Sequence, residues 1–66
     1  MNTFTATMIA EGQFELAGVE LENAEEAEAL IIEAYQTLID SGLVWQLQGY
    51  FGRRAQQLID EGICHA

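Results

Sequence analysis

The first third of the chain alternates polar and apolar side chains with a period of two. Threonine alternates with apolar residues over 3–9, and the alternation resumes over 13–16. Alternation and β-branching are typical of half-buried strands. Gly12 suits a turn between these segments, and Gly18 suits a bulge or bend. The sequence therefore predicts an N-terminal β-hairpin over 3–21, which must pack on other elements because two strands alone are marginal in water.

From residue 24 onward the apolar positions change to a helical spacing. Asn23 and Glu26 have the spacing of a capping box, and Gly42 suits the residue that follows a helix, so we predict a first helix over 24–40. A second helix is predicted over 43–61. The short connection requires the two helices to fold back as an antiparallel hairpin. The expected fold class is α+β, an N-terminal β-hairpin packed on a C-terminal antiparallel two-helix hairpin.

The apolar surface of the first helix is wider than one neighbouring helix can cover. It spans an arc of roughly 200° on the helical wheel. Part of this arc can pack against the β-hairpin, and the rest would need a second chain, so a homo-oligomer is predicted. The second helix has a narrower main stripe that faces the first helix and contains Leu43, Val44, Leu47, Phe51, Ala55 and Leu58.

A different line of residues follows the back of the second helix at steps of 4, 3 and 4. It consists of Trp45, Gly49, Gly52 and Gln56. Glycine inside a helix costs about 1 kcal/mol relative to alanine, but it lets another backbone approach closely. Tryptophan is enriched at binding hot spots. Three interpretations are open: the line packs under the chain's own β-hairpin, it binds a partner or a second copy, or it forms a small-molecule pocket.

Charge narrows the classes of partner. Half of the residues of the single domain 1–66 are hydrophobic, but eleven acids face only Arg53 and Arg54, which gives a net charge of −9. A polyanion of this kind is repelled by nucleic acids and by anionic membrane surfaces, so no direct nucleic-acid binding and no membrane binding are predicted. A host protein with a basic surface is a suitable partner.

The acidic residues cluster where the first helix begins. One interpretation is that ordered carboxylates imitate the phosphates of a nucleic acid and occupy a basic groove of a host protein. The other is that they cap the helix and keep the protein in solution. Both interpretations apply to the same acidic surface, made of Glu20, Glu22, Glu25, Glu26 and Glu28.

The chain lacks the residue patterns of catalysis and of stable metal binding. Its single histidine, His65, lies at the tail, whereas nucleophilic triads need a histidine held within the fold. Cys64 and His65 supply two of the roughly four ligands that a structural zinc site needs, and we expect this tail to be frayed. We therefore predict no enzyme activity, no cofactor and no metal.

Two features indicate the cellular compartment. No segment reaches the roughly 20 apolar residues that span a bilayer, and the N-terminus does not have the pattern of a signal peptide. A lone cysteine also suits a reducing compartment. A cytoplasmic protein is expected.

The motif Trp-Gln-Leu-Gln-Gly-Tyr-Phe-Gly-Arg, at 45–53, resembles a family of very short bacteriophage-encoded proteins. The likeness covers roughly residues 35–62, and Arg54 stands where that family often has threonine or serine. The resemblance implies a phage accessory protein inside an infected bacterium and brings no assigned activity. It also implies that Trp45, Gln46, Gln48, Gly49, Gly52 and Arg53 belong to one site. Together with the line along the back of the second helix, the candidate partner or ligand interface is Trp45, Gln48, Gly49, Gly52, Arg53 and Gln56.

The resulting functional hypothesis is a small acidic phage accessory protein that binds a host or phage protein, with inhibition of host defence as one form of that activity. An oligomer that binds or sequesters a small molecule is the alternative. A minor virion component is a third and weaker possibility.

Overall fold

Three α-helices and one short 3-10 helix form the fold, in a computed structural model that describes residues 1–66. The chain contains no β-strand, so the predicted α+β class and the β-hairpin over 3–21 are wrong. In chain order the elements are α1 (Thr3–Ala10), α2 (Ala24–Ser41), the 3-10 helix (Leu43–Gln46) and α3 (Gly49–Asp60).

The threonine-rich segment forms α1 because local hydrogen bonds and packing outweigh its β-propensity. The Thr5 amide donates to Asn2 Oδ1 (2.8 Å), which caps the helix, and Thr7 Oγ1 donates to the Thr3 carbonyl (2.8 Å). Ala6 and Ile9 are one helical turn apart and are almost completely buried where α1 packs closely on α2. Tertiary burial supplies most of the stability of so short a helix.

Turns, and not strands, connect α1 to α2. Gly12 (φ 80°) and Gly18 (φ 75°) are left-handed, and each closes a turn of helical backbone. The turn expected at Gly12 and the bend expected at Gly18 are therefore present. A strand would place Phe14 and Leu16 on one face, whereas here Phe14 packs against the core and Leu16 is 70% exposed.

Helix α2 begins and ends where its capping residues predict. The Glu26 amide donates to Asn23 Oδ1 (2.8 Å), and Glu26 Oε2 accepts from the Glu22 amide (3.4 Å), one residue before the position that a capping box uses. Gly42 is left-handed (φ 79°), and its amide donates to the Ile39 carbonyl. The helix extends to Ser41, one residue beyond the predicted end.

The predicted helix over 43–61 is interrupted. Leu47 and Gln48 have extended backbones, with ψ 178° and ψ 150°, so the 3-10 helix ends before α3 begins at Gly49. A continuous helix would hold both Gly49 and Gly52 in its interior at about 1 kcal/mol each. The break places Gly49 at the first helical position and removes much of that cost.

The core lies around α2, which contacts α1 as well as the 3-10 helix and α3. Residues from the first half of α2 and the second half of α3 line one groove, so these helices are antiparallel as predicted. The wide arc of α2 is therefore shared by two neighbours within the chain, which weakens the packing argument for a homo-oligomer. The core residues are Ala6, Ile9, Ala34, Tyr35, Leu38, Ile39, Val44, Phe51, Ala55, Leu58 and Cys64.

The C-terminal tail is docked on α2, and the expectation of a frayed tail is wrong. Gly62 is left-handed (φ 74°) and turns the chain after α3. The His65 amide then donates to Gln36 Oε1 (3.0 Å), and Gln36 Nε2 donates to the His65 carbonyl (2.9 Å). Cys64, between them, is only 3% exposed and joins the core. None of the helices has both the length and the apolar character needed to cross a membrane.

Replacing Gly42 with alanine is expected to lower the free energy of unfolding by about 1 kcal/mol, because its left-handed backbone disfavours a side chain although the space around it is open. Gly52→Ala is the matched control. A Cβ there would make ordinary contact with Trp45 Cε3 at 3.7 Å, and alanine would favour the helix by up to about 1 kcal/mol. Urea unfolding of both variants measures the difference, and a stabilised Gly42→Ala variant would contradict it.

Candidate binding surfaces

Trp45 lies on the 3-10 helix at the corner where the chain turns into α3. Its side chain is 49% exposed, so the N-terminal segment does not cover it, as one interpretation of the sequence required. The indole lies against Gly52, where an added Cβ would be 3.7 Å from Trp45 Cε3. Trp45 and Gly52 are therefore neighbours, although they are not on one continuous helix.

The predicted interface divides between two flanks of α3. At about 100° per residue, Gly52 and Gln56 lie on the Trp45 side, where Gln56 Nε2 donates to Asp60 Oδ1 (3.0 Å). Arg53 instead lines a groove on the other side. Gln48 is exposed and precedes α3 without capping it through its side chain.

No backbone of the chain approaches the two glycines of α3. A Cβ on Gly49 would meet Arg53 Nη1 at 3.0 Å, and a Cβ on Gly52 would meet only Trp45. Both neighbours are side chains, and the guanidinium is a flexible end. Within the monomer the close backbone approach that was inferred from Gly49 and Gly52 is absent, and only a partner outside the chain would supply it.

A groove of about 510 Å³ lies where α1, α2 and α3 meet. It contains both arginines, which are the only Lys or Arg side chains of the protein. A small apolar wall and three polar or aromatic side chains complete it. Its lining residues, here called the arginine groove, are Ala10, Ile31, Tyr35, Tyr50, Arg53, Arg54 and Gln57.

Tyr35 is the most buried polar side chain of the arginine groove. The residue is 3% exposed and its ring packs 6.4 Å from that of Phe51, yet its hydroxyl has no hydrogen-bond partner in the chain. Every completely buried side-chain polar atom has a hydrogen-bond partner. The Tyr35 hydroxyl, which has none, is therefore not completely buried and opens onto the groove. Burial raises the pKa of the Tyr35 phenol, the nearby Arg54 lowers it, and Tyr50 raises it.

The other polar groups of the groove come from α3. Arg54 Nη1 donates to Gln57 Oε1 (3.4 Å) within the same helix. Tyr50 is 46% exposed and stacks on Phe51 with ring centroids 4.1 Å apart. Arg53 is exposed at the edge of the groove.

Three residues of the arginine groove were missing from the predicted interface: Tyr35, Tyr50 and Gln57. The Tyr35 ring belongs to the apolar face of α2 and to the core. One sequence pattern relates Tyr50 and Gln57 to Arg54. Tyr50, Arg54 and Gln57 follow each other at steps of four and three, the spacing of one flank of a helix.

The acidic surface divides into structural and free residues. Glu26 is partly buried and takes part in the cap of α2, whereas Glu20, Glu22, Glu25 and Glu28 are exposed. No group of three or more His, Cys, Asp or Glu side chains is arranged to hold a metal ion. At the tail, Cys64 Sγ lies 3.8 Å from the Ile32 carbonyl; burial raises the pKa of this thiol and Asp40 raises it further.

Comparison with known proteins places most of this architecture in one family. A family model described as Domain of unknown function (DUF7417) matches residues 14–66, from the turns before α2 to the docked tail. Helix α1 precedes the matched region. No curated protein and no solved structure matches the chain.

Proposed function

The chain belongs to this family of unknown function, and on that premise we propose that it is a small acidic bacteriophage accessory protein that acts by binding a host or phage protein in the cytoplasm of an infected bacterium. The observation that carries the proposal is exposed aromatic surface. Phe4 is 73% exposed and Trp45 is 49% exposed. Large aromatic side chains with this much exposed surface gain further burial at a protein interface, and tryptophan is enriched at interface hot spots.

The surface near these aromatics is suited to a protein partner. Phe4 and Met8 lie one turn apart on α1 and line a depression of about 290 Å³ with Leu43, at the start of the 3-10 helix that carries Trp45. The two elements therefore present apolar surface around one corner of the fold. The net charge of −9 favours a partner whose rim around an apolar centre is basic.

The exposed glutamates also favour a partner with a basic surface. Glu20, Glu22, Glu25 and Glu28 are free to face a basic surface, while Glu26 is engaged in the cap of α2. Inhibition of a host defence protein by imitation of nucleic-acid phosphates is the most specific form of this proposal. It uses the exposed carboxylates, which take no part in the side-chain cap of α2.

Self-association and partner binding are expected to respond to salt in opposite directions. Screening weakens attraction to a basic partner, whereas it relieves the repulsion between two chains of charge −9. Sedimentation equilibrium at micromolar concentration, at about 50 mM and about 500 mM salt, measures self-association against the monomer mass of 7.3 kDa. Capture from host lysate by the immobilised protein, eluted by a salt gradient, measures partner binding.

Substitutions decide whether a captured protein uses the proposed surface. Trp45→Ala is expected to abolish capture, and replacement of Glu20, Glu25 and Glu28 by glutamine is expected to weaken it and flatten its salt dependence. Leu16→Ala is the matched control, because Leu16 is 70% exposed but lies in the turns before α2. Capture that is indifferent to Trp45→Ala and to salt would overturn the proposal.

A further inference from the structure

We propose that the arginine groove is a binding site for a small ligand that carries an anionic phosphate or carboxylate group and a flat ring. Arg53 and Arg54 would hold the anionic group and the Tyr35 hydroxyl would donate to it. This site is separate from the proposed protein-binding surface, which lies on the other flank of α3. The inference therefore goes beyond the proposed function.

Charge selects the kind of ligand. The chain has eleven acids and two basic residues, and both basic residues line this one groove. Guanidinium groups bind phosphate and carboxylate through two parallel hydrogen bonds. Arg54 donates to Gln57, and neither guanidinium forms an ion pair with a carboxylate of the chain. Their donors are available to an anion from solution.

The Tyr35 hydroxyl is the second and independent observation. The residue is only 3% exposed, and its hydroxyl, which makes no hydrogen bond within the chain, is open to the groove. Because the hydroxyl is open to the groove, water can reach it, and a ligand in the groove can take the place of that water. An anion between the hydroxyl and Arg54 satisfies the phenol with a charge-assisted hydrogen bond.

The apolar wall selects the rest of the ligand. One face of the Tyr50 ring stacks on Phe51, and the side chain is still 46% exposed. Ala10 and Ile31 line the same groove from α1 and α2. A flat ring packs between such groups and the free aromatic surface. The groove, with a volume of about 510 Å³, has room for a small ligand of this kind.

The test is a calorimetric titration of the intact protein with phenyl phosphate, inorganic phosphate, phenylacetate and benzyl alcohol. Phenyl phosphate or phenylacetate is expected to bind more tightly than either inorganic phosphate or benzyl alcohol. The preference between the first two distinguishes a phosphate source from a carboxylate source. Equal binding of inorganic phosphate would overturn the role of the ring, and equal binding of benzyl alcohol would overturn the role of the anion.

Tyr35→Phe is the decisive variant, because a purely structural residue and a ligand donor predict different results. Binding is expected to weaken roughly tenfold, while thermal stability changes little because the hydroxyl is open to the groove and makes no hydrogen bond within the chain. Arg54→Gln is expected to weaken binding at least as much, and Gln56→Ala, on the opposite flank of α3, serves as the matched control. Tyr35→Phe that binds as tightly as the parent, or no binding of any probe at millimolar concentration, would overturn the proposal.

These outcomes are distinguishable from those of the protein-binding proposal. Trp45→Ala is expected to abolish partner capture and leave probe binding unchanged, since Trp45 does not line the arginine groove. Tyr35→Phe is expected to weaken probe binding and leave partner capture unchanged. Loss of both activities in either variant would contradict the separation of the two surfaces.

Discussion

Replacing Leu38 with alanine is expected to lower the free energy of unfolding by about 2–5 kcal/mol, the range for a buried leucine that leaves a cavity. Leu38 is completely buried in α2, at the centre of the core to which the other helices contribute. A domain of this size rarely has more than about 3–5 kcal/mol of stability. The variant should therefore be largely unfolded at room temperature, as circular dichroism during urea titration would show.

Leu16→Ala is the matched control, because it removes the same side-chain atoms at an exposed position. Leu16 is 70% exposed in the turns before α2, so Leu16→Ala removes little buried surface. Its effect is expected to stay within about 0.5 kcal/mol. Equal unfolding midpoints for the two variants would mean that Leu38 is not at the centre of the core.

Replacing Cys64 with aspartate is expected to destabilise the protein by roughly 2–3 kcal/mol and to release the tail from α2. Cys64 is 3% exposed, its Sγ lies 3.8 Å from a backbone carbonyl, and Asp40 is near enough to raise its pKa. A carboxylate at this position would be desolvated beside a like charge. Thermal unfolding measures the loss, and the amide resonance of His65 reports whether its hydrogen bond to Gln36 survives.

His65→Asp is the matched control because it adds an aspartate at the neighbouring position. The His65 side chain is exposed, and the two hydrogen bonds to Gln36 use only the His65 backbone. A change of less than about 0.5 kcal/mol is expected. If both aspartates destabilised the protein equally, added negative charge alone would explain the effect and the docked tail would play no part in stability.

The candidate site was predicted in part, and the missing part has a physical cause. Spacing alone placed Trp45 beside Gly52, and the structure confirms that they are neighbours. Spacing could not join Tyr35 to Arg54, because they belong to different helices and only the packing of α2 against α3 brings them to one groove. An unpartnered hydroxyl is likewise a property of the folded chain, since its partners are defined only once its neighbours are in place.

The sequence by itself determined the features that depend on a few neighbouring residues. Asn23 starts α2 and Gly42 ends it, since a cap is made by one side chain or one left-handed backbone within a single turn. The stripe that contains Val44, Phe51 and Leu58 is buried as its periodicity predicted, even though the helix beneath it is broken.

Only the tertiary structure decided the features whose energy comes from distant parts of the chain. The alternation over 3–9 favours a strand locally, but Ala6 and Ile9 are buried on α2 only when the segment is helical. The docked tail depends in the same way on Gln36, which is 29 residues from His65 in sequence. Local propensity amounts to fractions of a kcal/mol per residue, and burying one large apolar side chain contributes about 1.5–3 kcal/mol, so packing overrides the local preference.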